Sequence, residues 1–121
     1  MDKYQEMQML DYQVKQLQKV LESIDTQLSD INVTVEALNG FKNLKNNDEV
    51  LFPIANGIFA KGKLSDNTSL KINIGSNIVV DKNIPDTIKM MGDQSSEMEK
   101  YKSEIIEQLQ KTVDKLNELQ G

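Results

Sequence analysis

The chain has 121 residues, no cysteine, no histidine and no arginine, and its formal net charge is −5. Without histidine and cysteine, the usual transition-metal sites, thiol nucleophiles and histidine-based acid–base catalysis are excluded, so we expect no enzyme, no metal and no cofactor. An acidic chain without arginine and with only 5% aromatic residues is also a poor candidate for nucleic-acid binding.

Residues 1–45 are predicted to form a coiled-coil helix, which we call the first arm. Apolar residues recur along it at alternating steps of three and four, an unbroken heptad pattern. The predicted seam consists of Met7, Leu10, Val14, Leu17, Leu21, Ile24, Leu28, Ile31, Val35 and Leu38. A helix of about 40 residues is roughly 60 Å long and cannot fold back on a core of this size, so it needs a second helix as its partner.

Residues 46–83 are predicted to form two linked β-hairpins. Asn56-Gly57 is a strong turn signal between EVLFPIA and IFAKGKL, and Gly75-Ser76 lies between SLKINI and NIVVDK. Pro53 indicates an edge or a bulge, because it cannot donate to a ladder. Two such hairpins are marginally stable in water, so we expect the same element of other subunits to cover them. The predicted interface residues are Ile54, Phe59, Leu70, Ile72, Ile74, Ile78 and Val80, whose even spacing favours one sheet face per strand.

The segment GIFAKGKL (57–64) matches most of a phosphate-binding loop. The next position of that motif is Leu64, where a phosphate-binding loop has the serine or threonine that holds magnesium. The glycines also lie within hairpin sequence, so we expect no bound nucleotide.

Residues 84–121 are predicted to form the second arm, which begins at Ile84-Pro85-Asp86. Its apolar residues hold one phase through Ile88, Met91, Met98, Tyr101 and Ile105. Ile105, Leu109 and Val113 then follow at two steps of four, which predicts a stutter in the coil.

The two arms are predicted to pair antiparallel within one chain. They have similar lengths, and the insert between them is short enough for the second arm to fold back. The e and g positions of the first arm contain no lysine, so parallel copies would gain little from opposite charges. A parallel homodimer of the first arm remains an alternative.

The free end of such a pair would carry apolar side chains from both arms. Methionine surfaces accept many partners because the thioether chain repacks easily, so this end could hold unstructured chains. The alternative is a frayed helix end with scattered apolar residues. The predicted binding residues at this tip are Tyr4, Met7, Met9, Leu10, Val113, Leu116 and Leu119.

No targeting signal is evident in the sequence. No N-terminal run resembles a signal peptide, and no run approaches the ~18 apolar residues of a membrane-spanning helix. The lack of cysteine fits a reducing compartment. We therefore expect a soluble, cytoplasmic protein without a membrane partner.

Together these segments resemble the alpha-class subunit of prefoldin over essentially the whole chain. The most specific motif is P-I-x-x-G-x-F-x-x-G-x-L from Pro53 to Leu64, followed by a pattern that ends near Val79. The matching residues are Pro53, Ile54, Gly57, Phe59, Gly62, Leu64, Ile72, Ile74, Gly75 and Val79. Two hairpins indicate the alpha class, because beta-class subunits of this family have one.

The resemblance implies one α+β domain of the prefoldin type, in a hexamer of two alpha and four beta subunits. The hairpins would form a double β-barrel platform that carries six coiled coils. Their tips would capture unfolded proteins without ATP and deliver them to a group II chaperonin in the cytosol. A structural coiled-coil adaptor, a homodimer that binds one folded partner, is the alternative function.

Overall fold

Two long helices flank two β-hairpins in a computed structural model that describes residues 2–121. The elements in chain order are α1 (Lys3–Phe41), β1 (Glu49–Ala55), β2 (Ile58–Lys63), β3 (Ser69–Gly75), β4 (Ile78–Asn83) and α2 (Ile84–Gln120). This arrangement confirms the predicted α+β architecture. Among residues 2–121, no helix combines the length and the hydrophobicity needed to cross a membrane.

The described chain divides into two compact units. Residues up to Asn32 together with Gly92–Gly121 form the coil unit, and Val33–Met91 form the hairpin unit. The hairpin unit thus contains all four strands, the end of α1 and the start of α2. The three segments predicted from the sequence follow the secondary structure instead, and that division remains a prediction.

Side chains cap the start of both helices. In α1, the Asp2 carboxylate accepts a hydrogen bond from the Gln5 backbone N–H at 2.8 Å, and the Gln5 side chain accepts one from Asp2 N–H at 3.3 Å. This reciprocal pair is a capping box. In α2, the Asn83 side chain accepts a hydrogen bond from the backbone N–H of Asp86 at 2.8 Å. Each cap satisfies donors that a helix start would otherwise leave unpaired.

The helices of the coil unit pack antiparallel around an apolar core. Ile24, Leu28 and Ile105 are buried at its centre, and a partly buried set packs against them: Leu17, Val20, Leu21 and Met98. One ion pair joins the middle of α1 to the middle of α2, and another joins the start of α1 to the end of α2. Lys102 Nζ lies 2.8 Å from Asp25 Oδ1, and Lys115 Nζ lies 3.8 Å from Glu6 Oε1. The antiparallel pairing predicted from the sequence is therefore confirmed.

The seam of α1 is the predicted one, whereas that of α2 differs from the prediction. All ten predicted α1 positions are buried or half-buried. In α2, Tyr101 is 48% exposed, and the neighbouring Lys102 is half-buried in its place. When Ser95, Lys102 and Thr112 are counted as seam residues, the buried and half-buried positions of α2 recur at alternating steps of four and three as far as Leu119. The α2 seam therefore needs no stutter. The prediction failed because these seam positions are polar.

The pair between Asp25 and Lys102 makes coil stability depend on pH. A hydrogen bond to the Asp25 carboxylate and its negative charge raise the pKa of Lys102 above the ordinary value of 10.5. Because the pKa of Lys102 is higher in the folded than in the unfolded chain, the charged lysine stabilises the fold fully below pH 10.5. This stabilisation is lost as the pH rises through the raised pKa. We expect Asp25→Asn to lower the thermal unfolding midpoint at neutral pH, and this deficit to shrink as the pH exceeds 10.5.

Circular dichroism melts at neutral and alkaline pH measure this difference. Asp11→Asn is the matched control, because Asp11 pairs with Lys15 at 3.1 Å one turn away in the same exposed helix. Pairs within an exposed helix contribute little to stability, so this control should melt almost like the unchanged chain. An equal loss in both variants, or a deficit that persists at alkaline pH, would contradict a specific role for the inter-helix pair.

The two hairpins share one construction. β1 pairs antiparallel with β2, and β3 with β4, and each register shifts at an isoleucine before the turn, Ile54 and Ile74. The bulge predicted at Pro53 is thus found one residue later. The second turn is also displaced from its predicted place, because Ser76 and Asn77 have positive φ angles of 50° and 61° while Gly75 still belongs to β3. Two positive φ angles are typical of a type I′ hairpin turn.

A polar loop links the hairpins, and the Asp66 side chain helps to stabilise it. The Asp66 carboxylate accepts hydrogen bonds from the Thr68 backbone N–H at 2.8 Å and from the Thr68 hydroxyl at 2.6 Å. These bonds favour the ionised form and hold the pKa of Asp66 below its ordinary value.

Each hairpin has one half-buried face. In the second hairpin, Ile72 lies opposite Val80, and both are half-buried together with Leu70. The other face carries Lys71 opposite Asp81, with 2.6 Å between Nζ and Oδ1. In the first hairpin, the Phe52 ring lies over Gly62 so closely that a Cβ at Gly62 would overlap it. The ring occupies the space of the missing side chain, and glycine at this strand position leaves room for it.

Candidate functional site

Large exposed apolar side chains are concentrated in two places among residues 2–121. Eight belong to the hairpins and form what we call the hairpin surface: Leu51, Phe52, Ile54, Ile58, Phe59, Ile74, Ile78 and Val79. Three belong to the first turns of α1 and form the tip surface: Tyr4, Met9 and Tyr12. Solvent exposure of so many large apolar residues indicates surfaces that contact other chains.

The bulges place four isoleucines beside the two turns. Ile54 and Ile58 flank the first turn, and Ile74 and Ile78 flank the second. Because a bulge interrupts the alternation of side chains, Ile74 does not share the half-buried environment of Ile72 and is 58% exposed. The isoleucines beside each turn are therefore presented to solvent.

The predicted interface residues fall into two groups. Ile54, Phe59, Ile74 and Ile78 are exposed and available to another subunit. Leu70, Ile72 and Val80 are half-buried within the chain, so exposure differs among the predicted residues, and the interface they were assigned to stays a prediction. Leu51, Phe52, Ile58 and Val79 are exposed as well but were not among the predicted interface residues. Ile58 and Val79 could have been found, because both lie close after a turn in hydrophobic strand sequence.

Backbone groups add to the hairpin surface. Each described strand pairs with a single neighbour in a two-stranded sheet, so each has one open edge. An open edge presents unpaired N–H and C=O groups to a strand of another chain. Exposed apolar side chains next to open edges are the arrangement from which a larger sheet can be built.

The tip surface follows one face of α1. Tyr4 is 69% exposed and Tyr12 is 64% exposed. Gln5, Gln8, Met9 and Tyr12 recur at the spacing of one helix face and line a shallow groove of about 520 Å³. A second groove of about 410 Å³ lies beside it and is lined by Glu6, Met9, Leu10, Gln13 and Lys115. Met9 is common to both grooves.

The second arm extends to the same tip. Lys115 contributes to the second groove and pairs with Glu6 in the first turn of α1. Val113, Leu116 and Leu119 are half-buried there. The end of α2 therefore lies against the start of α1, as the sequence analysis required for a binding tip.

The predicted tip residues are not equally available. Tyr4 and Met9 are exposed, whereas Met7, Val113, Leu116 and Leu119 are half-buried. Leu10 is only 7% exposed and belongs to the seam of the coil, so its placement does not support a direct contact with a bound chain. Tyr12 is also exposed but was not among the predicted tip residues. Its signal was an aromatic residue outside the seam, three positions after Met9.

The tip chemistry suits polypeptides of varied sequence. Methionine adapts its shape to different apolar groups, and tyrosine combines an apolar ring with a polar hydroxyl. The glutamine side chains that line the grooves can donate to and accept from any peptide backbone. No metal-binding group of three or more acidic side chains occurs in the part of the chain that the structure describes.

Comparisons with known proteins agree with this architecture. The family model described as "Prefoldin subunit" matches residues 10–121. The prefoldin subunit alpha of Methanococcus vannielii is 27% identical over 90% of this chain and 73% of its own. That of Methanopyrus kandleri is 30% identical over 71% of this chain and 55% of its own. A cryo-EM structure of filamentous PFD from Methanocaldococcus jannaschii has a similar fold, with a TM-score of 0.86 at 15% identity over 96% of both chains.

Proposed function

The chain belongs to the prefoldin family, in its alpha class, and we propose that it is a subunit of an ATP-independent chaperone that captures unfolded proteins at the tips of its coiled coils. The observation that carries this proposal is the tip surface, where Tyr4, Met9 and Tyr12 remain exposed beside glutamine-lined grooves. Weak contacts at several separate tips add up through avidity, while each contact can still release alone.

Assembly would occur through the hairpin surface. We infer that the eight exposed apolar residues and the open strand edges pair with beta-class subunits, two alpha with four beta, to build a β-barrel platform. Burial of apolar surface at about 25 cal/mol per Å² is the main driving force for such an assembly. This step is supported by the exposure of large apolar side chains, which a protein that functions as a monomer would bury.

The remaining parts of the proposal rest on the family. A cytoplasmic chaperone that holds unfolded proteins has to pass them to a machine that folds them, and a group II chaperonin is the proposed recipient. The hairpin surface and the tip surface belong to different units of the chain, so assembly and capture can be tested separately.

Self-assembly of this chain is a second candidate. The structure of filamentous PFD from Methanocaldococcus jannaschii has a similar fold over 96% of both chains, and its filamentous form is the reason to consider a filament of this chain as the alternative assembly. The adaptor alternative has less support, because it requires the first arm to dimerise, whereas the seam of α1 packs on α2 in the same chain.

The native mass of the chain, measured alone and with a beta-class subunit from the same source, tests the proposal. We expect a hexamer that contains two copies of this chain and prevents aggregation of unrelated denatured proteins without nucleotide. A large assembly of this chain alone would favour self-assembly. A stable dimer that ignores the beta-class subunit and protects no denatured protein would refute the chaperone function.

A further inference from the structure

The negative charge of the chain is concentrated midway along the coil. The stretches 17–32 and 92–107 together carry eight acidic residues and three lysines, a net charge of −5. The rest of the coil unit, which includes the tip, has a net charge of −1, and the hairpin unit has +1. The middle of the coil therefore accounts for the net charge of the chain, while the tip surface is nearly neutral.

A groove lies within this acidic region. Its volume is about 450 Å³, and residues from both helices line it. Val20 and Ile24 contribute apolar surface from α1, and Met98, Tyr101 and Glu97 contribute from α2. The Tyr101 ring lies outside the seam and is half-exposed, so part of it is open to a bound chain. Glu104 follows Glu97 by seven residues and so lies on the same face of α2.

We propose that this mid-coil groove binds lysine- or arginine-bearing amphipathic segments of unfolded polypeptides, an inference that rests on the proposed chaperone function and adds a second, charge-selective contact to it. The apolar residues of such a segment would pack on Val20 and Met98. Its cationic group would lie near Glu97 and over the Tyr101 ring, where the carboxylate and the aromatic face both attract a positive charge.

Charge complementarity selects this occupant over two others. A second copy of the coil would bring another acidic surface against this one, and like charges in an interface are unfavourable. An acidic client segment meets the same repulsion. A cationic segment instead gains steering over distances near the Debye length, about 8 Å at physiological salt.

The test compares peptides that differ only in the sign of their charge. Labelled amphipathic peptides of leucine, serine and lysine, and counterparts with glutamate in place of lysine, are titrated against the intact chaperone assembly by fluorescence anisotropy. We expect the lysine peptide to bind at least about tenfold more tightly than the glutamate peptide at low salt, and this preference to fall as salt is added.

Matched variants assign the preference to the groove. We expect Glu97→Gln with Tyr101→Ser to weaken lysine-peptide binding about fivefold or more. Glu99→Gln removes the same charge two residues away on the same helix and should change binding less than about twofold. Equal effects of the double variant and of Glu99→Gln would overturn the proposal in favour of general electrostatic attraction.

Failure of the mid-coil site can be distinguished from failure of the proposed chaperone function. Equal binding of both peptides, lost only when the tip surface is altered, would overturn the mid-coil site while leaving tip capture intact. Failure of the assembly to prevent aggregation would refute the chaperone function, whereas the peptide titration would still decide whether the groove selects positive charge.

Discussion

Replacing Ile74 with aspartate should reduce the assembly to separate subunits while leaving the fold of each chain intact. Ile74 is 58% exposed and occupies the bulge beside the second turn, so the isolated chain can hydrate an aspartate there. In an assembled platform the same carboxylate would be buried without a partner, which costs several kcal/mol. A cost of that size weakens association by roughly a hundredfold to a thousandfold.

Native mass measured with the beta-class subunit, together with a circular dichroism melt of the isolated chain, checks this prediction. Asn77→Asp is the matched control, because it adds the same charge in the polar turn three residues away. Asn77 has a positive φ of 61°, a conformation that aspartate tolerates well. An unchanged assembly mass for Ile74→Asp would count against the hairpin surface as the interface.

Replacing Tyr4, Met9 and Tyr12 together with serine should remove most of the client binding that this subunit provides. The three side chains are exposed, so their replacement leaves the core of the coil and the assembly mass unchanged. Each apolar side chain buried against a client is worth about 1.5 to 3 kcal/mol. We expect the variant assembly to be needed at about tenfold higher concentration to protect a denatured protein equally well. Client binding by the tips of the other subunits sets an upper limit to this effect.

The control for the tip variant removes apolar area elsewhere. Val33→Ser with Ile106→Ser alters two exposed apolar residues outside the tip surface and should leave protection unchanged. Leu10→Ser is unsuitable as a tip variant, because Leu10 is buried and its loss would destabilise the coil. If the triple variant protects as well as the unchanged protein, the tip of this subunit is not where clients bind.

The sequence by itself determined the order of the elements and the seam of α1. Helix and strand periods are properties of local spacing, so the heptads of α1 and the two turn signals predicted a helix and two hairpins within a few residues of their observed bounds. Gly62 belongs to the family motif, but the packing of the Phe52 ring over it is visible only once the strands are paired.

Only the tertiary structure decided which apolar side chains are covered. Leu10 and Tyr12 both lie near the tip, yet Leu10 is buried and Tyr12 is exposed, because α2 packs on one side of α1 alone. Lys102 occupies a seam position, where its ammonium group pairs with Asp25 of the opposite helix. The bulge at Ile74 likewise exposes a residue that alternation would have buried. The spacing of residues defines a face of a helix or strand. Which residues of that face are covered depends on contacts with elements distant in sequence.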